Sequence, residues 1–397
     1  MTTPDNFRLE VRTWLKANCP ESQRQPIIKE EQIWGGRRRK FASPDAKLWF
    51  ERMRDRGWTA PDWPTQYGGG GLSATQAKAL EQEMQALGCR PPLYDIGLWM
   101  FGPALLEYGS EEQKQEHIPK IVRGEIRWSQ GYSEPGAGSD LASLKTRAED
   151  KGNHFLVNGS KMWTTQADKS DWIFCLVRTD PDVPKQEGIS FLLIDMASEG
   201  VSTTPIELIS GESEFCQTFF QDVCVPKENL VGELNSGWSI AKRLLKHERK
   251  LMSIMETMVE KEDETIVDLA KRYVDVDSTG KLRDSELRTR LTSHLMNSQA
   301  NEWTSYRLFE QHGQGIKDPG LPLIMKHVIT TELQRKDELI LSILGNRGLS
   351  LDDAEYSPNE KRLVKNWAFN KAHTIAGGTS EIQLNIIAKR ALGLPEH

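Results

Sequence analysis

The sequence predicts an α+β chain in three consecutive parts, helical, then β, then helical again. Three observations carry this. Apolar residues recur at helical spacing from Phe7 to about Trp128. Short β-branched and aromatic runs separated by Asn, Asp, Gly and Pro fill the middle third. After Gly237 the helical period returns and persists to Leu392. At 397 residues the chain is long enough for two or three domains and a sizeable core.

In order, residues 7–17 repeat apolar positions at helical spacing and Pro20 stops them. Residues 57–73 form a loop carrying Trp58, Trp63, Pro64 and the glycines 68–71. An amphipathic helix is expected over 75–87, ending at Gly88, and Ser110 with Gln113 reads as a capping box opening the next helix. From Trp128 the period changes. Strands are expected at 154–157, 172–178, 188–195 and 214–225, separated by turns at Asn158-Gly159, Asp180-Pro181 and Ser210-Gly211, which describes a small barrel or sandwich. Helical segments then follow at about 238–273, 284–312, 319–345 and 379–392.

Composition narrows the function classes. With 38% hydrophobic and 27% charged residues and a formal charge of -6, the chain reads as a soluble globular protein. Mild acidity argues against nucleic-acid binding by phosphate neutralisation, and the run Gly36-Arg37-Arg38-Arg39-Lys40 reads as a solvated face. Cys19, Cys89, Cys175, Cys216 and Cys224 show no Cys-x-x-Cys spacing and no histidine pairs stand at metal-ligand intervals, so a reducing cytoplasm and no metal are expected. The N-terminus lacks a secretory pattern and no apolar run approaches eighteen residues, so no membrane partner is expected.

Three motifs stand out. Gly131 to Asp140 (Gly-Tyr-Ser-Glu-Pro-Gly-Ala-Gly-Ser-Asp) reads as a shaped turn in which Gly136 and Gly138 supply backbone conformations closed to other residues. Ser133 and Ser139 add short donors where a planar ligand could approach; taken alone, a plain surface turn is the alternative. The carboxylates of Glu134 and Asp140 suit capping of backbone N–H groups within the turn. The second motif is Asn158-Gly159-Ser160-Lys161-Met162-Trp163-Thr164-Thr165, and the third is Gly377-Gly378-Thr379-Ser380-Glu381-Ile382-Gln383. In the third, Ser380 with Gln383 forms a capping box, and the helix N-terminus it opens suits a pyrophosphate.

Together, and in this order, these motifs resemble the acyl-CoA dehydrogenase family almost end to end. Gly57-Trp58, Trp63-Pro64, Tyr67-Gly68-Gly69, Val225-Pro226 and Asn229-Leu230-Val231-Gly232 support the match. The resemblance implies an N-terminal helical domain over 1–127, a central β-barrel or sandwich domain over 128–234 and a C-terminal four-helix bundle over 235–397. It implies an FAD site between the β-domain and the bundle. Gln130, Tyr132 and Ser133 would face the isoalloxazine ring, Trp163 and Thr165 close over it, and Thr379 and Glu381 contact the flavin nucleotide. Ser139 matches a position that touches CoA.

The implied chemistry removes an α-proton from a fatty-acyl thioester and passes a β-hydride to flavin N5, with electrons going on to an electron-transfer flavoprotein. In many members the base stands just before the Gly-Thr of the third motif, where this chain has Gly377. A minority carry it in a Glu-Arg pair on the first helix of the C-terminal domain, and His247-Glu248-Arg249 stands there. Leu244, Leu251, Met252 and Met255 share a helical face with Glu248, an apolar setting that raises a carboxyl pKa toward neutrality. The structural alternative is a Glu248 that reaches solvent or pairs with a basic neighbour. Arg249 matches an arginine beside the thioester.

Two departures from the family pattern follow. Residues 273–291 lack the Arg-x-x-Phe that holds a neighbouring subunit's flavin, leaving Arg283, Arg288 or Arg290 as substitutes. In Gly345-Asn346-Arg347-Gly348, Arg347 either supplies charge near a phosphate or blocks it. The resemblance therefore implies a homodimer, a homotetramer or a heteromer with a related chain. Rival readings are an oxygen-reactive flavin enzyme, such as an acyl-CoA oxidase or nitroalkane oxidase, and a noncatalytic subunit or binding relative. By resemblance, a base moved to this helix goes with branched, long or bulky acyl chains, with Trp99, Met100 and Phe101 shaping a pocket floor or serving as core.

Overall fold

The computed structural model describes residues 4–395 except 28, 246–263, 314, 317, 319 and 350–354. The described residues fall into two compact units, one within Met1–Ile206 and Ser213–Lys261, the other within Glu207–Glu212 and Glu262–His397.

The first unit opens with helices α1 (Pro4–Asn18), α2 (Pro44–Asp55), α3 (Ala74–Ala86), α4 (Gly102–Tyr108) and α5 (Glu111–Val122). Serine side chains set three of their starts. Ser43 accepts from the Ala46 N–H, while Ser73 with Gln76 and Ser110 with Gln113 form complete capping boxes. The chain leaves α3 through Gly88 at φ +66°, the left-handed exit that glycine permits. A π-helical turn over Gly97–Phe101 precedes α4.

Eight strands follow: β1 (Trp128–Gly131), β2 (Arg147–Asp150), β3 (His154–Thr165), β4 (Trp172–Arg178), β5 (Ile189–Asp195), β6 (Val201–Ile206), β7 (Phe215–Pro226) and β8 (Leu230–Val231). They form one sheet in the order β6-β7-β3-β2-β4-β5-β8, with β1 paired in parallel to β4. Side chains alternate across a strand, and β4 and β5 bury both faces. Phe174, Leu176, Phe191 and Leu193 join a core shared with the helices, while Ile173, Cys175, Val177, Leu192 and Ile194 fill a second core on the other face. Phe101 is fully buried, its ring 5.2 Å from Phe174 and 6.4 Å from Phe191 in stacked orientation. It is core, and Trp99 packs with Trp34 and Tyr94 instead.

Asn158-Gly159 is not the expected turn. It lies inside β3, where the register against β7 shifts between Val157 and Gly159. The Asn158 side chain closes a reciprocal pair with Asp222, donating to its carboxylate at 3.0 Å and accepting from its N–H at 2.9 Å. A local turn signal has been converted into a β-bulge by a long-range partner. The basic run at 37–39 is also more than a solvated face. The Arg37 N–H donates to Asp171 at 2.9 Å and its guanidinium to Asp195 at 3.1 Å. Arg38 donates to the Asp168 carbonyl at 3.1 Å, and Arg39 to the Gly124 carbonyl at 2.6 Å.

Helix α6, over 237–245, completes the description of this unit. The second unit contains α7 (Ile266–Tyr273), α8 (Ser285–Gly313), α9 (Leu321–Leu344), α10 (Pro358–Asn370) and α11 (Ser380–Ile386). The expected segment over 238–273 does not end as one uninterrupted helix. Thr265 is an extended N-cap whose side chain accepts from the Asp268 N–H, so α7 starts afresh. Leu269, Leu291, Ile340, Ile343 and Leu363 make the core of this unit. Inside it the buried His294 on α8 bonds the buried Glu332 of α9 at 2.8 Å. Among the described residues no helix is long and apolar enough to cross a membrane.

Candidate active site

The loop that leaves β1 carries the first group of site residues. Gln130 pairs with Phe174 in the sheet. Tyr132 is buried, its ring edge-on to Phe174 and Phe191 at 6.0 and 6.4 Å. Neither Gly136 nor Gly138 has a positive φ, and a Cβ at either would meet nothing within 4 Å, so the conformational role expected of these glycines is absent. The shape comes from Glu134 instead. Its backbone exchanges two hydrogen bonds with Ala137, at 2.9 and 3.1 Å. Its carboxylate accepts from the Lys145 N–H at 2.7 Å, the Thr146 N–H at 2.9 Å and the Lys161 ammonium at 2.7 Å. Burial pushes this carboxyl up, but Lys161 and the N–H donors outweigh it and leave the pKa below the usual range.

Asp140, at the far end of the loop, bonds the Lys185 ammonium at 2.7 Å and the Ser143 hydroxyl at 2.8 Å, and Lys185 first among these holds its carboxyl down. Both acids of the loop are therefore occupied in shaping and anchoring it. Ser139 between them is exposed. A cleft of about 350 Å³ lies beside the loop, lined by Pro135, Gly136, Lys145, Thr146 and Ser160 among others.

The second group stands at the end of β3. The register against β7 shifts again between Lys161 and Thr164, and Trp163 sits in that bulge at φ +63°, a region a bulky residue enters only under strain. Its indole is 52% exposed and edge-on to Phe215 at 6.0 Å. Thr164 turns inward and bonds the Cys216 carbonyl at 2.7 Å, while Thr165 pairs with Phe215 and stays half-buried. An exposed indole on a strained bulge, beside the loop of Tyr132 and Ser133, has the aromatic and donor character that a flavin ring requires. These residues fit the group.

The third group belongs to the second unit and is described by itself. Gly377 and Gly378 stand at φ +64° and +99°. The cap of α11 is Thr379, whose hydroxyl accepts from the Ile382 N–H at 3.3 Å; the expected capping box of Ser380 with Gln383 does not form. Gln383 reaches back past the cap and donates to the Gly377 carbonyl at 3.1 Å. Lys326 of α9 donates to the Gly378 carbonyl at 2.7 Å, and burial lowers its pKa. Glu381 is exposed in the first turn, its carboxyl lowered by its own N–H and by Thr379.

Arg347 is committed inside this unit. It bonds Glu360, whose side chain is 2% exposed, and lies over the Tyr356 ring. Arg283 and Arg288 donate to the Val276 and Leu282 carbonyls, and Arg290 to the Ser342 hydroxyl. Glu248 and Arg249 lie outside the described residues. Sequence reasoning missed the structural work of Lys161, Lys326 and Phe215. The available signal for Lys161 was a lysine placed among apolar inward positions of a strand, next to an acid-bearing motif.

Family models for the acyl-CoA dehydrogenase N-terminal, middle and C-terminal domains match residues 6–125, 129–223 and 235–392. The chain belongs to the acyl-CoA dehydrogenase family of FAD-dependent oxidoreductases. It is 33% identical over 396 residues to the acyl-CoA dehydrogenase IpdE1 of Mycobacterium tuberculosis, covering 100% of this chain and 99% of that protein. Among solved structures it resembles the Tcur3481-Tcur3483 steroid ACAD, with a TM-score of 0.73, 27% identity and coverage of 99% and 98% of the two chains. It also resembles the ChsE4-ChsE5 complex from Mycobacterium tuberculosis, with a TM-score of 0.71, 27% identity and coverage of 100% and 99%.

Proposed function

We propose that this chain is an acyl-CoA dehydrogenase that acts on CoA thioesters of bulky, steroid-type acyl groups. The observation that carries the flavin reading is Trp163, half exposed on a strained bulge beside the Tyr132-Ser133 loop. Gln130, Tyr132, Ser133, Trp163 and Thr165 would hold the ring of FAD; for Thr379 and Glu381 of the second unit, a role as contacts to a flavin nucleotide rests on the family motif alone. FAD supplies a hydride acceptor.

The residues of the chain do the rest. Trp163 shields the ring from water, Ser139 binds the CoA portion, Arg249 lies beside the thioester and Glu248 takes the α-proton. On the helical spacing expected from the sequence, Glu248 would share an apolar face with Leu244, which would favour a base working near neutral pH. The steroid-type substrate is supported by the likeness to the steroid ACAD. The likeness to a two-chain complex supports a heteromer with a related chain as one assembly, beside a homodimer or homotetramer. An electron-transfer flavoprotein in the cytoplasm is the proposed electron acceptor.

The test is an absorption spectrum of the purified protein, followed by a panel of straight, branched and steroid-side-chain CoA esters assayed with an artificial electron acceptor. A flavin spectrum and preference for the bulky esters are expected. A colourless protein with no affinity for CoA esters overturns the reading. Glu248→Gln is expected to keep the flavin and lose turnover by orders of magnitude; near-normal turnover in that variant removes Glu248 from the role.

A further inference from the structure

Lys161 has a fully buried side chain and two acceptors, the Glu134 carboxylate at 2.7 Å and the Tyr132 carbonyl at 3.2 Å. Glu134 is saturated by the Lys145 and Thr146 N–H groups as well. The charge therefore sits in a closed pair pressed against a single peptide, the one joining Tyr132 to Ser133. No described peptide bond is cis, and in a planar trans peptide the C=O and N–H point in opposite directions. With the Tyr132 carbonyl turned to Lys161, the Ser133 N–H is aimed away from the ammonium. Among the described residues that N–H has no acceptor, although the Ser133 carbonyl accepts from the Met162 N–H at 2.8 Å and is fixed.

We propose that Lys161 is a positioning residue for the redox reaction: its ammonium, held by Glu134, fixes and polarises the Tyr132-Ser133 peptide so that the Ser133 N–H donates to the polar edge of the flavin ring. The inference rests on the flavin reading above. A donor polarised from behind by a buried cation favours the ring state that carries more negative charge, which is the reduced one. Lys161 touches neither substrate nor ring in this account and acts through one peptide bond.

The experiment compares holoenzymes by spectroelectrochemical titration and steady-state kinetics. The Glu134→Gln/Lys161→Met double variant removes the cation without leaving a buried charge alone. It is expected to retain FAD, to show a more negative midpoint potential, and to lose about tenfold in kcat with KM nearly unchanged. An unchanged potential, with only lowered stability, reduces Lys161 to a brace and overturns the proposal. If the double variant does not fold, Glu134→Gln alone decides. At a pH low enough to keep Lys161 protonated, its less neutralised cation should move the potential to more positive values, and no change or a fall there overturns the proposal. A wild-type protein that takes up no FAD is a separate outcome and overturns the flavin reading itself.

Discussion

Trp163 stands edge-on to Phe215, with ring centroids 6.0 Å apart and planes at 79°, on a backbone turned to φ +63°. A side chain in that region costs about 1–2 kcal/mol relative to the right-handed alternative, and glycine escapes the cost. Trp163→Gly should therefore be more stable than Trp163→Ala by about 1 kcal/mol in chemical denaturation, the reverse of the order normal within a strand. Equal stabilities, or an advantage for alanine, would show that the strain is absent. Under the proposed function both variants lose flavin affinity.

That bulge marks the boundary of what the sequence could reveal. The loop at 131–140 was recognisable from its composition, and the cap at Ser110 from Gln113 three residues on, because each signal is local. The left-handed Trp163 depends on where β7 pairs with β3, and the Asn158-Gly159 bulge depends on Asp222, more than sixty residues away. Neither is written near the residue it shapes. Arg347 was similarly ambiguous, since its partner Glu360 is supplied by α10. Ser380 and Thr379 are both competent caps, and the glycine pair before them puts Thr379 in the extended conformation that a cap needs.

Thr379→Ala should accordingly cost about 1 kcal/mol of stability, the usual value of an N-cap hydroxyl, whereas Ser380→Ala should change it by only a few tenths. Thermal unfolding of the two variants side by side decides the assignment. A larger loss from Ser380→Ala would return the cap to the serine.

Asp95 predicts a stability that is lost as pH rises from acid to neutral. It is fully buried, and one carboxylate oxygen accepts from the Gly97 N–H at 2.5 Å, while the Arg127 charge opposes the push of burial without cancelling it. Burial raises its pKa to about 8, so the folded state keeps a proton that the unfolded chain releases near pH 4. Stability should fall as pH rises from about 4 to about 8, by an amount on the order of a few kcal/mol. Asp95→Asn should flatten that slope. An unaltered pH dependence of unfolding in the variant would reject the assignment.

The Arg347 and Glu360 pair predicts the opposite behaviour in acid. Arg347 first, then Ser357 and Tyr273, holds the Glu360 carboxyl down to about 2 against the upward push of burial. Its folded pKa lies below the unfolded value near 4.3, so its stabilisation is fully present above that value and drains away as pH falls toward about 2. Glu360→Gln should be less stable than wild type at pH 7, and the gap in Tm should narrow as the pH is lowered through 4 to 3. A gap that stays constant over that range would mean that packing around Glu360, rather than its charge on Arg347, supports the second unit. Arg347→Met should destabilise more than Glu360→Gln at pH 7, because it strands a buried carboxylate, and the two variants should converge in acid once that carboxylate is protonated.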